Sequence, residues 1–226
     1  VFILSIMMRF GLSVLWISVL VYAFVFAPPN QPGTTDLIVR LSVGDWDGIN
    51  PAVSALFSVM GIWPMIYAAI ALIDGHQQQA KAWPFVVASF GTGAFAILPY
   101  LIWRSPNPTF NGAKNWLLKL LDSRWLGLGL LLSSLGLVAF GLIAGDWSDF
   151  WQQWRTSRFI HVASLDFCLL WGLFPVLLGD DMARRGLKQP AWFWVVVLLP
   201  LIGAAAYLTL RPPLPEEQIG LAETPV

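Results

Sequence analysis

The stretch Ser157–Gly186, SRFIHVASLDFCLLWGLFPVLLGDDMARRG, decides how the rest of the chain is read. Arg155 and Arg158 stand at its start, and Arg184 and Arg185 close it. Between them, over about twenty residues, the only polar side chains are His161, Ser164, Asp166 and Cys168. At 1.5 Å rise per residue, about twenty residues cross a hydrocarbon core of roughly 30 Å, so the stretch reads as a transmembrane helix.

Composition extends that reading to the whole chain. Of 226 residues, 57% are hydrophobic and 12% charged, half the charged share of about 25% in a soluble domain, so lipid is the expected solvent for most side chains. The net charge is zero, which excludes a polybasic nucleic-acid-binding face. The single cysteine, Cys168, excludes an internal disulfide. Phe10–Ala27 is too long for the apolar core of a cleaved signal peptide and is followed by Pro28. Met7 and Met8 are read as marking the start, with Val1–Ile6 an extension.

Six apolar stretches meet the length requirement: 10–27, 51–73, 84–103, 125–144, 159–179 and 191–210. Tryptophans crowd their ends, as in an interfacial aromatic belt. Two connections are amphipathic at helical spacing, Asn111–Arg124 and Asp146–Thr156, and are expected as short helices in the headgroup layer.

Internal matches divide the chain into 1–110 and 111–226. Gly61-Ile62-Trp63-Pro64 recurs as Gly172-Leu173-Phe174-Pro175, and Lys81-Ala82-Trp83 recurs loosely as Lys188 with Ala191-Trp192. Tyr100-Leu101-Ile102-Trp103-Arg104 recurs as Tyr207-Leu208-Thr209-Leu210-Arg211, and Gly44-Asp45-Trp46 as Gly145-Asp146-Trp147. Three crossings per half is an odd number, so the second half enters from the opposite side. The expected fold is all-α: six transmembrane helices as two inverted three-helix repeats, with short interfacial helices. Eight Lys and Arg on one face against five on the other place both termini away from the cytoplasm or stroma by the positive-inside rule.

Few residues stand out for chemistry. Asp166 lies about 10 Å along its helix, where a carboxylate costs several kcal/mol unless paired, hydrated or protonated. Val162, Ala163, Leu169 and Leu170 are its neighbours on the same face, so any partner comes from another helix. It reads equally as a proton, ion or ligand site and as an interhelical hydrogen-bond clamp. Ser164 joins it as an intramembrane polar candidate. His161 is the one histidine in a span: a pigment or haem ligand on one reading, an interfacial histidine on the other. Gly61, Pro64, Gly172 and Pro175 place prolines within spans, as helix bends near a transport site or as packing features. Asp180, Asp181, Arg184 and Arg185 form two i,i+4 acid–base pairs, read as a solvated helix end or a docking surface. No nucleotide loop, zinc-protease motif, CxxC or catalytic triad is present, and no metal site is expected.

The halves resemble a bacterial family of three-span membrane proteins of unknown function, whose middle helix carries an Asp near its start and whose last helix ends Leu-Tyr-Leu-Arg. The second half matches this through Asp166 and Tyr207–Arg211; in the first half Ala55 and Leu56 take the acid's place. Over most of its length the chain resembles an uncharacterised multi-pass family of cyanobacterial thylakoids and plant plastids. Phe26–Pro32 (FAPPNQP), Gly48–Pro51 (GINP), Ser157–Leu170 and Gly179–Leu187 carry that likeness. The resemblance implies a thylakoid setting. The expected role is a non-catalytic accessory or assembly subunit docking on a photosystem or other thylakoid complex, in contact with membrane lipid and holding lipid, chlorophyll or carotenoid. A small secondary transporter with Asp166 as coupling acid is the alternative, and an enzyme the least supported class.

Overall fold

The computed structural model describes residues 2–76, 78–110 and 113–215, and these are helical or irregular with no strand among them. In chain order the helices are α1 (Phe2–Val21, continued by a π-turn over Tyr22–Phe26), α2 (Thr34–Val43), α3 (Pro51–Asp74), α4 (Trp83–Thr92), α5 (Ala94–Trp103) and α6 (Trp116–Leu121). The second half has α7 (Arg124–Ala144), α8 (Trp147–Thr156), α9 (Arg158–Leu173), α10 (Pro175–Arg184), α11 (Ala191–Leu198) and α12 (Ile202–Leu210).

Four of these segments are long and apolar enough to cross a membrane: Ile6–Phe26, Pro51–Asp74, Arg124–Ala144 and Arg158–Arg184, the last joining α9 to α10. The protein is a membrane protein by that measure. In its most apolar window α3 is 61% buried against 11% for the first segment, so α3 is the axis and α1 turns outward to lipid. Trp63, Ile66, Tyr67 and Ile70 on α3 are fully enclosed, packed against Leu170, Phe174 and Leu177 of the second half.

The expected crossings at 84–103 and 191–210 do not run straight. Helices α4 and α5 lie side by side: the Phe85 ring meets Tyr100 at 5.9 Å and Trp103 at 5.6 Å. In one continuous helix Phe85 and Trp103 would stand about 27 Å apart. The chain reverses at Gly93, whose φ of +53° and ψ of −128° suit a residue without Cβ. Helices α11 and α12 repeat the hairpin, with Trp192 against Tyr207 at 5.4 Å and the turn at Leu201 (φ +62°). A proline stands near each turn, and each frees a carbonyl four residues back. Pro99 releases the Phe95 carbonyl, which accepts the Trp16 indole N–H at 3.0 Å. Pro200 releases that of Val196, which accepts the Trp171 indole N–H at 3.0 Å.

Four segments, against the six expected, are long and apolar enough to cross, and the arrangement does not confirm the expected inversion. Each half holds two long helices and one hairpin that returns to the face it left, an even count of traverses. The long helices α3 and α9–α10 therefore run in the same direction. Asp74 at the end of α3 and Asp181 near the end of α10 meet at one face, together with both hairpin bases. A constant separation of 107 residues relates Pro51 to Arg158 at the helix starts, Asp74 to Asp181, Tyr100 to Tyr207 and Arg104 to Arg211. In that register Gly61 and Pro64 correspond to Cys168 and Trp171, so the two Gly-x-x-Pro motifs are not equivalents. Pro64 lies inside a continuous α3, whereas Pro175 opens α10. The Gly-Asp-Trp match is likewise misplaced, since Gly44 ends α2 and Gly145 ends α7.

The expected helix at Asp146–Thr156 is α8, capped by Asp146, whose carboxylate accepts the Ser148 and Asp149 N–H groups at 3.0 Å. Within Asn111–Arg124 only α6 is helical, and Asn111 and Gly112 lie outside the described residues. Helix α2 is the first-half counterpart of α8 and was not anticipated. The two halves pack unequally. Helix α7 seats on α3, where a Cβ on Gly141 would come within 2.7 Å of the Ala55 Cβ and one on Gly145 within 2.8 Å of the Ala52 Cβ. The corresponding α1 leans on the hairpin of its own half, as α7 does on α12, through Arg9 to the Arg104 carbonyl at 3.0 Å and through Trp16 to α5. Its π-turn touches α9 through Tyr22.

Candidate functional site

Two groups of polar residues lie inside this frame, one at each level of the bundle. The first closes the hairpin bases. Asp74 accepts hydrogen bonds from Tyr100 (2.5 Å), Arg104 (2.7 Å to each oxygen) and Arg184 (3.1 Å). Asp181 accepts from Tyr207 (2.7 Å), Arg185 (2.9 Å) and Arg211 (3.1 Å). Arg184 lies 3.5 Å from the Asp181 carboxylate as well, so one guanidinium joins the two sets. Arg104 also reaches Asp180, and Arg185 reaches Asp122 at 2.6 Å.

Burial here is nearly complete: Asp74 and Asp181 are fully enclosed, and Arg211 is 2% exposed. Taking such charges out of water costs several kcal/mol each, and only dense mutual pairing offsets it. Burial alone would lower the Arg104 pKa, but the Asp74 and Asp180 carboxylates outweigh it and hold the guanidinium above its ordinary value. The same balance, against Asp181 and Asp122, raises Arg185. The arrangement therefore holds the Arg104 and Arg185 charges in place. It corrects the reading of Asp180, Asp181, Arg184 and Arg185 as an exposed docking end. Asp181 does pair with Arg185 at i,i+4, but Asp180 pairs with Arg104 and Arg184 with Asp74.

The second group surrounds a cavity of about 810 Å³ between the π-turn, α2, α3, α9 and the tip of the first hairpin. Phe159, Val162, Ala163 and Asp166 line it from α9, at the i, i+3, i+4, i+7 spacing of a single face. At its floor Asp166, 5% exposed, accepts the Ala94 N–H at 2.8 Å through Oδ1. That bond caps the N-terminus of α5, where the backbone donors carry partial positive charge. Oδ2 lies over Gly93 so closely that a Cβ there would sit 1.6 Å from it. Among the described residues Oδ2 has no hydrogen-bond donor. Phe57, Phe90 and Phe95 form apolar walls, while Asn30, Gln31, Thr34 and Arg158 form a polar mouth. Arg158 is anchored there, its Nε donating to the Pro28 carbonyl at 2.9 Å.

Asp166 thus clamps α9 to the first hairpin, and its carboxylate also lines the cavity. Its partner is a backbone amide at a hairpin turn, which side-chain pairing rules do not reveal. Ser164 donates to the Ile160 carbonyl of its own helix at 2.8 Å and does not line the cavity. His161 is occupied at both nitrogens. Nδ1–H donates to the Trp154 carbonyl and Nε2 accepts from the Tyr22 hydroxyl, each at 2.9 Å, with the Trp154 ring 4.2 Å away. These bonds make His161 an anchor between α8, α9 and the π-turn, and a pigment metal would have to displace one of them. The first half has no matching acid. The 107-residue separation places buried Val59 opposite Asp166, in place of the expected Ala55 and Leu56, and apolar Leu199-Pro200-Leu201 forms the second tip.

No family model, curated protein or solved structure matches this chain.

Proposed function

We propose that the protein is a small carrier of the membrane that binds its solute in the cavity at the first hairpin tip, with Asp166 as the binding group. The supporting observation is the conjunction at that tip: a chain reversal, a carboxylate with one uncommitted oxygen, and a cavity lined by that carboxylate. Discontinuous helices meeting at a buried polar group are a recurrent transporter arrangement. The opposite face is closed by the Asp74–Arg184–Asp181 cluster, which ties the halves together beneath the cavity.

In this reading the chain crosses four times and the two hairpins are re-entrant from the cluster's face. That face then holds ten of the thirteen Lys and Arg residues, leaving Arg40, Arg155 and Arg158 on the other. Ten against three assigns the cluster's face, with both termini, to the cytoplasm or stroma, and the cavity mouth to the far side. This reverses the orientation drawn from six crossings.

The cavity volume also favours a second reading, in which the chain is an accessory subunit that permanently holds a lipid or pigment against a photosynthetic complex. The thylakoid setting rests on the family resemblance. One experiment separates the two. Purified protein in proteoliposomes is expected to be colourless and to take up solute in a manner lost in Asp166→Asn. Co-purification of chlorophyll, carotenoid or photosystem subunits in fixed ratio would overturn the carrier reading in favour of the accessory one.

A further inference from the structure

We propose that the cavity is selective for an organic cation, a small amphipathic amine whose ammonium meets Asp166 Oδ2 while its apolar body lies against the phenylalanine walls. The inference deepens the carrier reading and rests on it for transport, though not for binding.

The argument begins with the carboxylate. Asp166 is 5% exposed, its Oδ1 is taken by Ala94, and Oδ2 has no donor among the described residues. A carboxylate at such a position requires a counter-charge or a donor. The nearest cationic side chain on its own helix is Arg158, eight residues and roughly 12 Å of helix rise away. Arg158 is committed to the Pro28 carbonyl at the mouth. The missing partner is therefore expected in the cavity itself.

The walls restrict what that partner can be. A hard metal cation needs six or more oxygen ligands, or at least several carboxylates. Among the described residues no group of three His, Cys, Asp or Glu side chains comes together. Phe57, Phe90, Phe95 and Phe159 line the cavity, and aromatic side chains attract an ammonium and favour a hydrocarbon body over water. An anionic ligand such as a fatty acid or phosphate would bring like charge against Asp166. A neutral hydrocarbon would leave Oδ2 unanswered. An amine with an apolar body satisfies carboxylate and walls together, and the volume of about 810 Å³ accommodates a small molecule of this class. The symmetry-related position, where Val59 of the first half replaces the acid and the second hairpin tip is the apolar Leu199-Pro200-Leu201, provides no counterpart, so one amine binds per chain.

The test uses full-length protein in lipid nanodiscs, titrated calorimetrically with N,N-dimethyl-3-phenylpropylamine and with its uncharged carbon isostere, (4-methylpentyl)benzene, against empty nanodiscs. The expected result is one amine per chain, bound at least about tenfold more tightly than the isostere. Asp166→Asn, which keeps an oxygen for Ala94, should erase that preference while leaving the helical circular dichroism unchanged. Equal binding of amine and isostere by the wild-type protein would overturn the proposal without recourse to any variant. So would a preference that survives Asp166→Asn. Uptake of another solute with no amine preference would sink the ligand class and leave the carrier standing. Amine binding with no uptake would do the reverse.

Discussion

Asp74 and Asp181 stand 107 residues apart, and each accepts a hydrogen bond from a tyrosine 26 residues on and an arginine 30 residues on. Both pairs close a hairpin onto the long helix before it, and Arg184 links one acid to the other. An interior charge set of this kind is rigid because no member can leave without stranding another. Asp181→Asn is expected to destabilise the fold by about 3–5 kcal/mol, since Arg185 and Arg211 lose their buried counter-charge. Tyr207→Phe should cost only about 1–2 kcal/mol. Thermal unfolding in detergent ranks the two, and equal effects would show that the cluster is not a charge lock.

Gly93→Ala meets two obstacles, a positive φ and the Asp166 carboxylate 1.6 Å from the added Cβ. A loss of at least about 2 kcal/mol is expected from strain and displacement together. The double variant Gly93→Ala/Asp166→Ala removes the clash and should recover part of that loss. Non-additivity in a double-mutant cycle is the readout, and strict additivity would mean that the tip and the acid are not in contact.

The re-entrant hairpin has a direct topological signature. In a background with Cys168→Ala, single cysteines at exposed Lys81 and Ser105 should react with an impermeant maleimide from the same face of sealed vesicles. A cysteine at exposed Gln152 should react only from the other. Labelling of Lys81→Cys and Ser105→Cys from opposite faces would restore a straight crossing.

The indole of Trp16 satisfies a carbonyl that Pro99 leaves open. Trp16→Phe is expected to destabilise by about 1–3 kcal/mol through that orphaned oxygen. In a Pro99→Ala background, where the helix supplies its own N–H, the same substitution should cost less. Melting temperatures of the four proteins in this cycle test it, and an unchanged cost would assign the effect to lost packing.

How much of this was legible in the sequence depends on what each signal measures. Apolar length identified all six stretches but cannot distinguish one helix of twenty residues from two of ten joined by a turn. Thr92-Gly93-Ala94 and Leu199-Pro200-Leu201 carried that difference, and the former resembles ordinary helix packing in a membrane protein. The Tyr-Leu-x-x-Arg recurrence held the correct 107-residue separation. Asp74 and Asp181, at the same separation, would have exposed the triads and with them the parallel run of α3 and α9–α10. The Gly-x-x-Pro match pointed to a shifted register because glycine and proline recur in such helices without homologous position. Asp166 was singled out by its burial cost, whereas Ala94 could not be, because a backbone amide has no signature in side-chain identity.

The unequal seating of the two halves has an evolutionary corollary. If the two halves are copies of one unit, only one of them needs to act as masonry. With Gly141 and Gly145 pressed onto Ala55 and Ala52, the later copy bears the mechanical load. The earlier copy, with α1 propped on α5 and away from α9, is released from that duty. Across descendants of the same duplication, small side chains should persist at the seated contact, while residues around the open chamber diverge with whatever each descendant admits.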